Sequence, residues 1–408
     1  MLTLFKLAFR DLNRNRRRST LTLIAVALGL ALLIAMNGLI EGEVAGALEN
    51  TIRLQTGHVQ VRAESYDEDK ISLKWEDLLN DASSLATRAQ ALPGVQAATP
   101  ILWASGILGS RDETTGVRVL GIDPQSAAYA PIKGSLVVGS FLASDDRSGI
   151  LIGEKLAKSL GLSAGSQVSL LVNTSNEQPD EALFTIRGLF NTNTPTYDET
   201  SVFMPITKAQ AFTRTEGRAS AIFILLHQQE DADRVAFALR GPSLITLTYR
   251  ELNQVLLQTV EASYGIMNLL YLMVLAVVAV VIANTLLMSV FERTREMGIL
   301  ASLGMKGRQI LTMFLMEAGA LAIAGIIVGI IFGSLGVLYF ATVGYSIGEE
   351  AELAGAAIAF SSTIYARFSP LGTLGLSIAA LVITLLASLY PAWHAARLEP
   401  IDALRSAQ

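Results

Sequence analysis

The chain has 408 residues, of which 51% are hydrophobic and only 16% charged, whereas a soluble domain carries about a quarter charged residues; the balance implies a membrane protein. A formal net charge of −5 gives no general basis for binding nucleic acid. Without cysteine there is neither a disulfide nor a thiolate metal site, and three scattered histidines (His58, His227, His394) do not make a metal centre.

Residues 1–18 pattern as an amphipathic elbow helix. Leu2, Phe5, Phe9 and Leu12 share one face, with Lys6, Arg10 and Arg14 beside it, as in a helix lying among lipid headgroups. A first span over 19–40 follows, containing "LTLIAVALGLALLIAMNGLI", long enough to cross a bilayer. Its apolar run exceeds the h-region of a cleaved signal peptide.

Residues 41–263 have soluble α+β patterning. "TGHVQVRAE", "GVQAATPILWASGILGS", "TGVRVLGID", "QVSLLVN", "EALFTIRGLFN" and "SAIFILLHQ" read as strands. "KWEDLLNDASSLATRAQAL", "PITKAQAFTR" and "DADRVAFALRG" read as helices, and "GILIGEKLAKSLGL" as a strand running into a short helix. A last helix from Tyr249 to Ser263 leads back to the bilayer. Asp123, Asp145 and Asp146 are the carboxylates that invite a catalytic or metal reading, but Asp123-Pro124 and "SDDRSG" are turn chemistry. HExxH and GxxxxGK[ST] are absent from the sequence, and the two strings of GxSxG spacing, "GLSAG" at 161–165 and "GYSIG" at 344–348, follow a short helix and a span, not the strand that a nucleophile elbow needs. No catalytic, cofactor-binding or metal-ligating residue is assigned, and His58 reads as a strand-face residue.

Three more spans follow at 264–290, 310–340 and 371–390, separated by a turn over 291–309 and a loop over 341–370, with a tail over 391–408. The third span has Gly325, Gly329 and Gly333 at small-xxx-small spacing, which serves close helix packing or a subunit seam. Lys and Arg set the orientation. Lys6, Arg10, Arg14, Arg16, Arg17 and Arg18 precede the first span, Arg293, Arg295, Lys306 and Arg308 fill the turn, and Arg397 and Arg405 lie in the tail, while the loop carries Glu349, Glu350 and Glu352 with Arg367. Both termini and the turn are expected in the cytoplasm, with 41–263 outside.

The turn, "ERTREMGILASLGMKGRQI", packs four bases among apolar residues and glycines. Met297, Leu300 and Leu303 fall at i, i+3, i+6 as one expected stripe, with Arg293, Arg295 and Glu296 at its rim and Gly304 ending the helix. The pattern alone suits two roles, a helix docking into a groove of another protein and a solvated turn whose bases enforce topology.

Four stretches in order resemble the permease subunits of the MacB/FtsX/LolC-LolE group of ABC transporters: "LFKLAFRDLNRNRRRSTLT", then "GIDP" with "GILIGEKLAKSLGLSAGSQVSL" and "FTIRGLFNTNTPTYDETSVFMPITKAQAF", then the charged turn, then "YPAWHAARLEPIDALR". The size and layout are most similar to the lipoprotein-releasing permeases LolC and LolE. The resemblance implies four membrane helices per subunit, a second permease subunit that is the same or homologous, and two copies of a separate cytoplasmic ATPase, with ATP and Mg held by that partner. It implies a non-catalytic transport subunit of the bacterial inner membrane, passing motion to a periplasmic domain and working with membrane lipid and a periplasmic carrier or partner. It favours docking as the role of Arg293, Arg295, Glu296, Met297, Leu300, Leu303 and Gly304. Lipoprotein or lipid-like cargo is expected in the intersubunit cleft between the first and second spans, with Met36, Met267, Leu270 and Met273 near its outer mouth. Export of a peptide, drug or toxin, and regulation of a cell-wall hydrolase in the manner of FtsX, are the other expectations within the group.

Overall fold

The computed structural model describes residues 16–67, 70–110, 113–346 and 363–397. Of the expected elbow at 1–18, residues 1–15 lie outside the described residues and 16–18 open the first long helix; the tail beyond Arg397 also lies outside the described residues. Two compact units are formed: a helical one from residues 16–44, 260–345 and 364–397, and an α+β one from residues 45–259 with 346 and 363.

Four helices are long and apolar enough to cross a membrane. Helix α1 (Arg16–Thr51) ends in a π turn at Ile52–Thr56, so it runs well past the 40th residue at which the first span is expected to end. Polar residues such as Glu41 and Glu43 do not stop a helix; they only stop the part of it that suits lipid.

The α+β unit begins with β1 (Val59–Ala63). The expected helix from Lys74 is cut short. Leu79 donates its N–H to Ala219 O (2.8 Å), and Asp81 takes a left-handed conformation (φ 51°), so α2 covers only Ala82–Gln90. There follow β2 (Val95–Gly109), β3 (Thr114–Ile122), α3 (Ala130–Gly134), β4 (Leu136–Gly139), β5 (Gly149–Gly153), α4 (Glu154–Ser159), β6 (Gln167–Asn173), β7 (Pro179–Phe190), α5 (Pro195–Thr200), β8 (Ser201–Pro205), α6 (Ile206–Thr213), β9 (Ala221–Leu226), α7 (Ala232–Ala238), β10 (Leu244–Thr248) and α8 (Tyr249–Leu252).

The long strand β2 joins two layers. Its first half pairs with β9, which continues to β1 and β10; its second half pairs with β3 and β6. The ladders β2–β3, β3–β8, β8–β5, β5–β7, β7–β6 and β6–β2 close a ring of six strands. Closure removes exposed strand edges within the ring. Val202 and Met204 of β8, and Ile150 and Ile152 of β5, pack in one core with Val117, Val168, Phe184 and Ile186. Phe203 and Leu151, on the opposite faces of the same strands, pack in the second core with Ile222 and Phe223. Burial on both faces explains why "SVFMP" and "GILIG" are continuous apolar runs without alternation.

After a break at Asn253 the chain forms α9 (Gln254–Glu292), α10 (Thr294–Ser302), α11 (Gly307–Val343) and α12 (Pro370–Ala396). In lipid, helices gain nothing by hiding apolar surface from their apolar solvent, so close packing must hold them together. The glycine stripe of α11 supplies it within the chain. A β-carbon on Gly325 would lie 2.8 Å from Val26 Cβ, on Gly329 2.9 Å from Ala27 O, and on Gly333 2.8 Å from Ile34 Cβ. The stripe is thus a seam between α1 and α11, and the subunit-seam reading of these glycines is set aside. Thr373, Ser377, Ala380, Thr384 and Ser388 form the buried face of α12. The hydroxyls of Ser377 and Thr384 donate to the carbonyls of Thr373 and Ala380, each at 2.7 Å, so they need no other partner in lipid. Helix α12 continues through Pro391, beyond the expected end at Tyr390. The proline is buried, and Ala392 and Ala395 after it pack with Ile310, Met313 and Phe314.

Replacing Gly329 with Val is expected to destabilise the detergent-solubilised protein by about 3 kcal/mol, the upper range for overpacking. Gly375→Ala, with nothing within 4 Å of the added carbon, is the control. Equal thermal unfolding of the two variants contradicts the seam.

Candidate functional site

Helix α9 stops where Arg293 leaves helical geometry (φ −110°, ψ 12°). Its N–H is shared between the carbonyls of Ser289 and Val290, each at 3.2 Å. Helix α10 then runs for nine residues to Ser302. Gly304, at φ +95°, reverses the chain, a conformation that a side chain resists. Gly307 opens α11 where a β-carbon would meet Ala396 O at 2.6 Å.

The faces of α10 differ from the expected stripe. Met297 is 2% exposed and packs with Val290, Ile310, Met313, Phe314, Ala392 and Ala395. Arg293 is likewise buried; its Nη1 donates to Glu317 Oε2 (3.4 Å) and its Nε to Glu296 Oε2 (3.2 Å). Leu300 and Glu296 are half-buried. The outward face carries Arg295, Ile299, Ser302, Leu303 (80% exposed) and Gly304. The correction has a simple cause. At about 100° per residue, Ile299 lies about 200° around the helix from Met297, and the apolar cluster around Met297 decides which side turns in. Of the seven residues expected to touch a partner, Arg295, Leu303 and Gly304 are exposed, Leu300 and Glu296 are half-buried, and Met297 and Arg293 are buried in the chain's own core. Ile299 was missed, because an isoleucine off the chosen stripe carries no signal of its own. Glu317 was missed too, although a lone carboxylate inside the apolar run "LTMFLMEAGALAIAG" is such a signal.

The four residues expected at a cargo cleft also divide. Met36 and Met267 are half-buried against the cluster of Leu30, Leu33, Tyr271 and Leu275. Leu270 and Met273 are exposed on α9, beside Ile266 and Leu269.

In the α+β unit His58, Asp123 and Asp146, singled out by sequence, and Asp198, which was not, are all used structurally. His58 Nδ1 accepts from Leu226 N–H (3.1 Å), and burial holds its pKa down, which keeps the ring neutral. Asp146 accepts from Arg187 Nε (2.7 Å), a contact that holds its carboxyl below the usual range. Asp123 Oδ1 accepts from Gln125 N–H within its own turn. Asp198 accepts from the N–H and hydroxyl of Thr192, and burial pushes it up to about 6. Among the described residues no group of three or more Asp, Glu or His is arranged to hold a metal ion.

Two families match the chain. One described as a MacB-like periplasmic core domain covers residues 19–241, and one described as an FtsX-like permease C-terminal region covers residues 268–400. The lipoprotein-releasing system transmembrane protein LolC of Xylella fastidiosa is 24% identical over 80% of this chain and 82% of its own length. Its counterpart LolE of Haemophilus influenzae is 23% identical over 81% of this chain and 82% of its own. The macrolide export ATP-binding/permease protein MacB of Acinetobacter baylyi is 25% identical over 98% of this chain and 59% of its own length. With its α+β unit inside the first match as far as residue 241, and its second membrane helix from residue 268 and the whole of the third and fourth inside the second, the chain belongs to the MacB/FtsX/LolC-LolE group of ABC transporter permeases.

Proposed function

We propose that this permease releases lipoprotein, or a cargo of the same lipid-anchored chemistry, from the inner membrane, driven by a separate cytoplasmic ATPase. The observation that carries this reading is the match in extent. The lipoprotein-releasing relatives align over most of their own length as well as most of this chain, whereas the MacB relative has a large part with no counterpart here. The 408 residues contain no phosphate-binding loop, so ATP and Mg would sit on the partner. The excess of Lys and Arg at 292–308 and before the first span favours the cytoplasm for the turn and for both termini, and the outside for the α+β unit.

Lipid-anchored cargo explains the need for ATP. Moving an acyl chain into water costs about 0.8 kcal/mol per CH₂, so one chain of ~16 carbons costs roughly 12 kcal/mol and three cost on the order of 35. A surface that keeps the chains in apolar contact while the cargo rises lowers that barrier. The exposed side of α9 at Leu270 and Met273 suits it, since methionine adapts to varied shapes; Met36 and Met267 lie behind it. The outward face of α10, where Ile299 and Leu303 are apolar and Arg295 gives a charged rim, suits the ATPase contact.

ATP-dependent release of a lipoprotein from proteoliposomes holding the permease and its ATPase is the expected result. Activation of a cell-wall hydrolase without release contradicts it and favours an FtsX-like regulator. Ile299→Glu or Leu303→Glu is expected to lower co-purification of the ATPase about tenfold, a loss of about 1.4 kcal/mol, with unchanged permease melting. Met297→Glu, which buries an unpaired charge, is expected to unfold the turn, at about 3 kcal/mol or more. Co-purification unchanged by both outward substitutions rejects the docking face. Photo-crosslinkers at Leu270 and Met273 should capture cargo during turnover; capture at neither position rejects the proposed surface.

A further inference from the structure

Glu317 lies about 15 Å along α11 from its start, and its side chain is 1% exposed. A buried ionisable group in a membrane helix costs free energy and needs a reason. It accepts from Arg293, whose guanidinium also bonds Glu296 and lies 5.9 Å from the Phe314 ring centre. One side chain therefore stands at the break after α9, bonds a residue of α10 and bonds a residue of α11.

Stability does not account for the pair. Val290, Met297, Ile310, Met313 and Phe314 surround this end of the bundle, and in such surroundings an apolar pair of similar volume holds at least as well as an ion pair. What an apolar pair lacks is direction. A guanidinium held between two carboxylates fixes distance and angle, while aliphatic side chains slide. The pair also sits where the chain is least able to transmit a push by itself, at the break between α9 and α10.

We propose that Arg293 is a positioning residue: bonded to Glu317, it makes α11 move with α10, so that a load on the outward face of α10 reaches the third span as well as the second. This rests on the reading that an ATPase docks on α10. Arg293 itself is buried and is no part of that docking face.

The test uses the full-length permease with a cysteine-free version of its ATPase in nanodiscs. The permease has no cysteine, so single spin labels are placed at Leu338→Cys on α11 or Met288→Cys on α9, both exposed. In the otherwise unchanged protein, ATP with vanadate is expected to alter both labels. The double variant Arg293→Met/Glu317→Leu removes both charges and is expected to fold, to keep the ATPase bound and to keep the response at position 288, while the response at 338 is lost. A purely structural pair would leave both responses intact in this variant, and that result overturns the proposal. Loss of both responses with the complex intact overturns it as well, since the pair would then serve α10 alone. If the unsubstituted permease fails to hold the ATPase or shows no response at either label, the docking reading itself falls.

Discussion

Hydrocarbon offers no partner to a charge or to a free backbone amide, and the rest of this chain follows from that constraint. It dictates helices for the four crossings, because only a helix satisfies its own backbone. It also removes the ordinary hydrophobic drive for helices to associate, so shape must replace it. The Gly325–Gly329–Gly333 stripe lets α1 lie against α11, and the small and hydroxylated face of α12 packs with the hydroxyls of Ser377, Thr384 and Ser388 bonded to their own helix. Against that background the buried Arg293–Glu317 pair is the exception, and its place at a helix break is what gives it meaning.

The same constraint separates two kinds of surface on the short helix α10. Met297 and Arg293 belong to the bundle; Ile299, Leu303 and Arg295 are left over. A helix of nine residues is too short to be stable alone in water, so the packing of its inner face is what makes its outer face a fixed shape. On the proposed function this matters more than affinity, since a docking element that must pass on a push has to be seated firmly. The α+β unit meets a similar need in another way. Strands β5 and β8 are buried on both sides and lie within a closed ring, so a load applied at one point is shared by two cores.

Much of this was legible in the chain. Runs of about 20 apolar residues announce the crossings, and alternation or β-branched runs announce most strands of the α+β unit. Helix ends were not legible, because polarity marks the limit of lipid and not the limit of a helix: Glu41 and Glu43 lie inside α1, and Pro391 inside α12. The segment from Lys74 has helical periodicity, but Leu79 pairs with Ala219, some 140 residues away, and a distant partner leaves no local trace. Ring closure of six strands is hidden for the same reason. At the turn, the residues that count were visible while their facing was not. Met297 and Ile299 are both apolar and two positions apart, and only the tertiary neighbours decide which one turns inward. The glycine stripe was visible as close packing, but whether its partner was another helix of the chain or a second subunit was not.

The proposed function requires the 292–306 turn and the α+β unit to lie on opposite sides of the membrane. Single cysteines at Leu303 and Phe237, both strongly exposed in a chain without native cysteine, test it directly with a membrane-impermeant maleimide. Labelling of position 237, and not 303, is expected from the outside of spheroplasts, with the reverse in inverted vesicles. Labelling of position 303 from the outside, or of both positions from the same side, contradicts it.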